Sequence, residues 1–302
     1  MRKLLLLLLL AAVAALAVVA AGCGGGGEEE ASTGPTAQTP GVDECAKENL
    51  ETRTPGILTI GTDNPAYPPW FEIPKQASEP WELGDPTTGE GFESAVAYAI
   101  AEEMGYTRDE VEWVVVPFAQ SFRPGVKDFD FDINQISYSD ERAQAVDFSD
   151  SYYDVNQALV ALDGNAVTGA TSLAELKGAK LGAPVGTTSY QYIVDNIQPD
   201  DQPSVYDTLN DALTALKAKQ IDGVVVDLPT AFFVTAAQIE NSTIVGQFPA
   251  AGEQEYFALV FEKGNPARLC VNAAIARLKE SGRLAEIQQE WLSDNASAPV
   301  LE

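Results

Sequence analysis

The sequence predicts an α/β protein of two lobes, each a mostly parallel sheet flanked by helices, with two crossings of the chain between them. Apolar, strand-like runs alternate along the chain with helix-like segments, one of which stops at Gly105, and this alternation is typical of an α/β fold. Two short patterns also occur twice. Segment 127–130 resembles segment 219–222, and segments 157–160 and 257–260 share Ala-Leu-Val. We interpret the second pair of segments as the two crossings between the lobes.

The composition is that of a globular protein and argues against several kinds of site. With 302 residues, 45% of them apolar and 21% charged, the chain is long enough to form two cores. Eighteen basic against 45 acidic side chains give a net charge of −27, which argues against nucleic acid as a partner; we interpret the acidic excess as favouring solubility. The chain has no histidine and its cysteines lack metal-ligand spacing, so we expect no zinc site, no histidine-dependent triad and no cofactor.

The first residues have the pattern of a lipoprotein leader. The basic segment 1–3 precedes an unbroken apolar run over 4–21, which is typical of a secretory leader. The run ends in Ala-Ala-Gly before Cys23, a pattern that resembles a bacterial lipobox. We therefore expect a signal peptide at 1–22, a lipid on Cys23 that anchors the protein to the membrane, and a flexible tether over 23–43. The alternative, an uncleaved anchor, gives the same location outside the cytoplasm.

The two remaining cysteines form an even pair. Once Cys23 is assigned to the lipid, Cys45 and Cys270 are left in an oxidising compartment. We expect a disulfide that joins the start of the folded part to the C-terminal helix; the alternative is two buried free thiols.

The stretch 128–154 carries the most informative pattern. Apolar and polar residues alternate over 129–134, which predicts a strand. A turn then leads into a helix for which Ser139 is the expected N-cap. Arg142 lies in the first turn of that helix, where a cation adds to the positive potential of the free backbone N–H groups. This patch is well suited to holding a carboxylate.

The same stretch resembles a known family. The residues that carry the resemblance are Asp130, the turn 135–139, Arg142, the segment 146–149 and the pair Tyr152-Tyr153. In this order they resemble the extracytoplasmic solute-binding proteins that deliver polar amino acids to ATP-binding-cassette (ABC) importers, with Val146 where that family has an aromatic residue. The resemblance continues on both sides, over residues 56–291.

The resemblance implies a fold, a function and a location. It implies the type II periplasmic-binding (Venus flytrap) fold, with a first lobe over 44–160 and 259–302 and a second lobe over 161–258. It also implies a binding protein rather than an enzyme, which holds an amino acid-like ligand between the lobes and delivers it to a membrane-embedded permease. We expect a monomer located outside the cytoplasm.

Asp63, Tyr67 and Phe118 of the first lobe are expected near the ligand. The strand ends at Asp63, and a stiff, proline-rich loop continues at its carboxyl end, the edge where open α/β sheets bind ligands. The resemblance implies that Tyr67 in this loop and Phe118 further on pack against the ligand. Trp70 and Phe71 are interpreted as core residues, and a core role is the alternative for Phe118.

The carboxylate of the ligand is expected to bind near Arg142. Gln135 follows Asp130 by five residues, as Asp227 follows Asp222, so we expect both at strand ends that face one cleft. Ser137 lies in the same turn as Gln135, and the resemblance implies that Thr187 and Thr188 receive the carboxylate from the opposite lobe. Thr188 and Gln191 are also spaced as a helix capping box, so helix capping is the alternative role for this segment. Both roles are compatible, because a cap satisfies only some of the free N–H groups.

The ammonium group of the ligand is expected to bind Asp227. This residue follows three valines, a pattern typical of a buried parallel strand, and a carboxylate at the end of such a strand requires a cation. The resemblance implies that the cation is the α-ammonium group of the ligand. The alternative is that Asp227 caps the helix that starts near Pro229.

Two other functions remain open from the sequence. A few relatives on this fold are enzymes, and such a function requires a cleft acid of raised pKa, for which Asp130, Asp132 and Glu72 are candidates. A membrane-tethered sensor is the second alternative. The segment 73–90 is longer than the loop usual in the family, and the sequence does not indicate its role.

Overall fold

A computed structural model of the protein describes residues 45–292 and 298–302. The expected signal peptide at 1–22, the expected lipid site Cys23 and the expected tether over 23–43 lie outside the described residues. Within the described residues, none of the helices has the length and apolar character needed to cross a membrane.

In the described part of the chain, ten strands form two five-stranded sheets. The strands are β1 (Leu58–Thr62), β2 (Val111–Val115), β3 (Phe131–Asp132), β4 (Asp147–Asp154), β5 (Gln157–Leu162), β6 (Leu181–Pro184), β7 (Ser204–Tyr206), β8 (Gly223–Asp227), β9 (Ser242–Gln247) and β10 (Tyr256–Phe261). The strand order is β2-β1-β3-β10-β4 in the first sheet and β7-β6-β8-β5-β9 in the second. We call each sheet with its helices a lobe.

The two sheets have the same pattern of strand directions. In the first, β1 pairs in parallel with β2 and β3, whereas β10 is antiparallel to β3 and β4. In the second, β6 pairs in parallel with β7 and β8, whereas β5 is antiparallel to β8 and β9. The chain crosses to the second lobe between β4 and β5 and returns between β9 and β10. The predicted two-lobed α/β fold with two crossings is therefore confirmed, with mixed sheets.

Helices cover the sheets and bury their apolar faces. The helices are α1 (Phe92–Glu103), α2 (Phe118–Ser121), α3 (Asp140–Ala143), α4 (Thr188–Tyr192), α5 (Leu209–Lys217), α6 (Leu228–Phe233), α7 (Ala267–Glu280) and α8 (Arg283–Leu292). In α1, Phe92, Val96 and Ile100 recur at helical spacing and pack into the core of the first lobe. The valines of β8 are buried on both faces of the second sheet, which explains their continuous apolar run.

The lobe boundaries differ from those expected at both crossings and at the chain end. Strand β5 lies entirely in the second sheet and β10 entirely in the first, so the crossings are the segments 155–156 and 248–255. The C-terminal residues 298–302 pack on the second lobe rather than the first: Val300 bridges Gln247, and Leu301 is buried in the core of the second lobe. Backbone hydrogen bonds from Gln247 to Pro299 and from Leu301 to Gln247, together with the burial of Leu301, fix this placement, which composition does not show.

A disulfide joins Cys45 to Cys270, with their Cα atoms 5.3 Å apart. Cys270 lies on α7, so the bond attaches the start of the described chain to a C-terminal helix of the first lobe. The expected disulfide is confirmed.

The segment 73–90 packs behind the proline-rich loop that follows β1. Asn64 Nδ2 donates to the Pro80 carbonyl at 2.9 Å, and the Glu82 N–H donates to Asn64 Oδ1 at 3.1 Å. The Gly84 N–H donates to the Ala66 carbonyl at 2.9 Å. The segment therefore holds in place the loop that carries Tyr67.

Candidate functional site

A cavity of about 400 Å³ lies between the two lobes. Residues at the carboxyl ends of β1, β6 and β8 line it, together with the starts of α2, α4 and α5. Of the nine expected ligand-binding residues, all but Ser137 line this cavity: Asp63, Tyr67, Phe118, Gln135, Arg142, Thr187, Thr188 and Asp227. The fold thus brings these side chains of both lobes to one place, at the sheet edge that α/β folds use for ligands.

Arg142 reaches from the first lobe to the second. Ser139 caps α3 as expected, since its Oγ accepts from the Arg142 N–H at 3.2 Å. The guanidinium donates to the Ser137 carbonyl at 2.6 Å and to the Gly186 carbonyl at 2.8 Å. It also lies 4.5 Å from the ring centre of Phe122. These contacts fix a planar cation at the cavity wall.

The Arg142 guanidinium is charged and has N–H donors that are available to a ligand. Burial lowers the pKa of its guanidinium to about 10, against the opposing effect of the Glu255 and Asp227 carboxylates, so the group is charged at neutral pH. A guanidinium has five N–H donors, of which its two hydrogen bonds use only part.

Asp227 ends β8 and faces the same cavity. It pairs with Gln157 across the antiparallel β5–β8 register, and Gln157 Nε2 donates to Asp227 Oδ1 at 2.8 Å. Asp227 occupies the N-cap position of α6, but its side chain accepts no hydrogen bond from the helix. The Asp227 carboxylate is therefore not oriented by capping α6, the alternative role considered for it.

The environment of Asp227 disfavours its negative charge. Burial, and then the nearby Glu255 carboxylate, raise the pKa of Asp227 to about 8, while the Gln157 hydrogen bond and Arg142 oppose the shift. In the absence of a ligand, Asp227 is therefore mostly protonated at pH 7. A cation that enters the cavity would favour the ionised form.

Thr187, rather than Thr188, is the cap of α4. Its Oγ1 accepts from the Tyr190 N–H at 3.2 Å and donates to the Pro184 carbonyl at 2.8 Å. The predicted capping box at Thr188 is wrong, because the helix begins at Thr188 itself and its N-cap is the preceding Thr187. The Thr188 hydroxyl is left at the cavity, 3.3 Å from Ser137 Oγ on the first lobe.

Ser137 differs from expectation, since its hydroxyl does not line the cavity. Its Oγ donates to Glu255 Oε1 at 2.5 Å, so the second crossing engages it. Its carbonyl accepts from Arg142 instead. Ser137 therefore supports the site through its backbone.

Gln135 is held by a buried glutamate of α1. Its backbone has a φ of 48°, in the left-handed region that is uncommon for glutamine. The Gln135 N–H donates to Glu93 Oε1 at 2.7 Å, and its Nε2 and the Tyr152 hydroxyl donate to the same carboxylate. Burial raises the pKa of Glu93 to about 7 despite these hydrogen bonds.

The aromatic side chains divide between the cavity and the core. Tyr67 and Phe118 line the cavity, whereas Trp70 and Phe71 are fully buried, which confirms the core role predicted for them. Phe118 also packs against the first-lobe cluster around Val146. Its side chain therefore contacts both the cavity and the core, the two positions considered for it. The Tyr67 hydroxyl is buried without a hydrogen-bond partner in the described part of the chain.

Sequence reasoning missed the part of the cavity formed by the start of α5 and by α6. Asp207, Thr208, Leu209 and Thr230 line it. The N-cap at Thr208, whose Oγ1 accepts from the Asp211 N–H at 3.1 Å, is a detectable signal for the start of α5. Thr230 has no such signal, since its exposure to the cavity depends on how α6 packs.

The cavity presents a cation from one lobe and, from the other, a carboxyl group that a bound cation would ionise. The Arg142 guanidinium belongs to the first lobe, and Asp227 and the Thr188 hydroxyl belong to the second. A small molecule with a carboxylate and an ammonium group would complement both.

Comparisons with known proteins give the same fold and family. The sequence model of the bacterial extracellular solute-binding proteins, family 3, matches residues 58–294. The chain is 27% identical over 218 residues to the ABC transporter glutamine-binding protein GlnH of Bacillus subtilis (strain 168), covering 70% of this chain and 77% of that protein. It is 28% identical over 247 residues to the L-cystine-binding protein TcyJ of Escherichia coli (strain K12), covering 78% of this chain and 82% of that protein.

Solved structures are similar over the same region. An ancestral arginine-binding protein bound to glutamine superposes with a TM-score of 0.63 at 29% identity, covering 79% of this chain and 99% of that chain. The family match spans well over half of the 302 residues and includes both sheets. The protein is therefore a member of the bacterial extracellular solute-binding proteins, family 3.

Proposed function

We propose that the protein binds an amino acid, or a similar small zwitterion, in the cavity between its lobes. The ligand carboxylate binds Arg142, with the Thr188 hydroxyl nearby, and the ammonium group binds Asp227. The observation that carries this proposal is that a charged guanidinium and a carboxylate from opposite lobes line one cavity of about 400 Å³. The names of the relatives, which bind glutamine, cystine or arginine, support a polar amino acid as the ligand.

The same arrangement couples binding to lobe closure. Among the described residues, the contacts that join the lobes beside the cavity include Arg142 with the Gly186 carbonyl, Ser137 with Thr188, and Trp70 Nε1 with Thr230 Oγ1 at 3.0 Å. A zwitterion that bridges Arg142 and Asp227 adds contacts that only the closed arrangement makes. Its differential affinity then shifts the population toward closure.

The proposed partner is the permease of an ABC importer, which would recognise the closed form. The curated relatives with a named role in ABC transport support this partner. A lipid on Cys23 would hold the protein, as a monomer, at the outer face of the membrane.

An enzyme on the same fold is the second candidate, because Asp227 is a cavity acid of raised pKa. The acids named from sequence are less suitable. Asp130 accepts from the backbone N–H groups of Arg53 and Thr59, each at 2.7 Å, and neither Asp130, Asp132 nor Glu72 lines the cavity. Binding without turnover in a product assay separates the two functions.

A thermal-shift screen tests the proposal. The panel contains the twenty amino acids, ornithine, ectoine-like osmolytes and opines, each at millimolar concentration. A ligand present at about 100 times its Kd stabilises the folded state by about 2.7 kcal/mol, which gives a clear rise in Tm. At least one zwitterion should raise the Tm while its counterpart without the α-carboxylate does not. A panel without any shift would contradict the proposal.

A further inference from the structure

Gln157 lies at the junction of the two lobes, where its side chain contacts both binding and crossing residues. It is the first residue of β5, directly after the first crossing, and only 2% exposed. Its Oε1 accepts from Ser189 Oγ at 2.6 Å. Its Nε2 donates to Asp227 Oδ1 at 2.8 Å. It also approaches Glu255 Oε1 and Oε2 at 3.2 and 3.1 Å, and Thr188 Oγ1 at 3.5 Å.

Gln157 thus stands between two carboxylates that would otherwise repel each other. Asp227 belongs to the ligand cavity, whereas Glu255 belongs to the second crossing and is also bound to Ser137 of the first lobe. Neither Gln157 nor Glu255 lines the ligand cavity. Both line a separate cavity of about 200 Å³ beside the crossings. Gln157 therefore reaches Asp227 from outside the ligand cavity.

The hydrogen bond leaves one oxygen of Asp227 available. Oδ1 is engaged by Gln157, and Oδ2 accepts no hydrogen bond from the residues that the structure describes. A carboxylate fixed through one oxygen keeps the other in a defined direction, which reduces the entropy lost when a cation binds.

We propose that Gln157 is the positioning residue for Asp227: it holds Oδ1 so that Oδ2 faces the ammonium group of the ligand. This inference rests on the proposed function. Because the same amide binds Glu255, and Glu255 binds Ser137, the orientation of Asp227 is connected to the contact between the second crossing and the first lobe. Gln157 acts through Asp227 and does not itself touch the ligand.

A double-mutant cycle tests this role. Gln157→Met keeps the length of the side chain and removes its hydrogen bonds. With an amino acid that binds the wild type, titration calorimetry should show an affinity lower by roughly tenfold to one-hundredfold, the range for a hydrogen bond to a charged group. In an Asp227→Asn background, the same substitution should weaken binding by less than about threefold, because the carboxylate that Gln157 positions is gone.

A purely structural role for Gln157 predicts a different result. The loss would then be equal in both backgrounds, and this outcome would overturn the proposal. Gln254→Met is the matched control: Gln254 lies on the second crossing and donates to the Val155 carbonyl at 2.8 Å, without contact to Asp227. It should leave the affinity within about twofold of wild type. If Gln157→Met does not fold, Gln157→Asn, whose shorter amide is withdrawn from Asp227, completes the same cycle.

The experiments distinguish a failure of the proposed function from a failure of the positioning role. A wild-type protein that binds no zwitterion contradicts both proposals. Wild-type binding that is weakened but measurable in Asp227→Asn, together with an unchanged affinity in Gln157→Met, contradicts the positioning role alone.

Discussion

Asp130, Asp132 and Asp227 each lie at or beside a strand of the two sheets, in different environments. Asp130 is satisfied by two backbone N–H groups and serves the fold. Asp132 is fully buried, and neither of its oxygens has a hydrogen-bond partner among the described residues; burial holds its pKa well above the usual range. Asp227 lines the cavity with one oxygen engaged. Of the three, only Asp227 combines a raised pKa with access to a ligand.

Ligand affinity should depend on pH because of Asp227. Its raised pKa, about 8, means that the carboxyl group is mostly neutral below pH 8, whereas an ammonium ligand requires the ionised form. Affinity should therefore rise between pH 6 and pH 8, by up to about tenfold per unit, and binding at pH 7 should release about one proton. Calorimetry in buffers of different ionisation enthalpy measures this proton release.

The control for this prediction is Asp227→Asn. Glu93, with a pKa of about 7, titrates in the same range, so a small pH dependence should remain in the variant. An affinity that is flat from pH 6 to pH 8 in the wild type would contradict the raised pKa of Asp227. An unchanged pH profile in the variant would assign the dependence to another group.

Sequence reasoning identified Arg142 and Asp227 at the cavity, but neither Asp207 nor the residues that support the two charged side chains. Arg142 and Asp227 stand at the ends of recognisable elements, and each needs a partner of opposite charge, so composition and position suffice to find them. The sequence around Gln157 and Glu255 has no pattern that marks a site. Gln157 comes to lie beside Asp227 only through the register of β5 and β8. The hydrogen bond of the Ser137 hydroxyl to Glu255 was not predictable, because Glu255 lies more than a hundred residues away in sequence.

The segment 73–90, whose role the sequence did not indicate, is organised around Asp85. This side chain is 2% exposed and accepts from the N–H and hydroxyl groups of both Ser78 and Thr87, at distances of 2.7–2.9 Å. Burial alone would raise the pKa of Asp85, but these four hydrogen bonds outweigh it, and the pKa is lowered. The carboxylate thus stabilises the segment that supports Asn64 and the loop carrying Tyr67.

Asp85→Ala should therefore affect both stability and binding. It leaves four donors without their acceptor, and we expect a loss of about 2–3 kcal/mol in the free energy of unfolding in urea. Ligand affinity should also fall, because the loop behind the cavity loses its support. Glu79→Ala, at an exposed position of the same segment, is the control and should change neither quantity. Wild-type stability in Asp85→Ala would contradict this account of the segment.

The strands and long helices were predictable, whereas their ends were not. Periodicity and valine runs predict β8, and apolar spacing predicts α1, because both patterns reflect burial on a sheet. The crossings lie before β5 and β10 rather than within them, since both apolar runs pair fully with strands of their own sheet. Local sequence contains no information on which sheet provides the partner strand.

The two lobes together form a site that neither provides alone. The first lobe supplies Arg142, and the second supplies Asp227 and Thr188, with the Trp70–Thr230 hydrogen bond joining them beside the cavity. In the proposed function, closure brings Arg142 and Asp227 to opposite sides of one ligand, so the affinity of the ligand and the equilibrium between open and closed forms are linked. Arg142 contributes to both, because it also binds the Gly186 carbonyl of the second lobe.

The most direct test is titration calorimetry of the Arg142→Ala variant with an amino acid that binds the wild type. Arg123→Ala, which removes a guanidinium outside the cavity, is the control and should bind as the wild type does. Arg142→Ala should lose about 2–5 kcal/mol of binding free energy, because the ligand carboxylate is left buried without its cation. A wild-type affinity in Arg142→Ala would contradict the account.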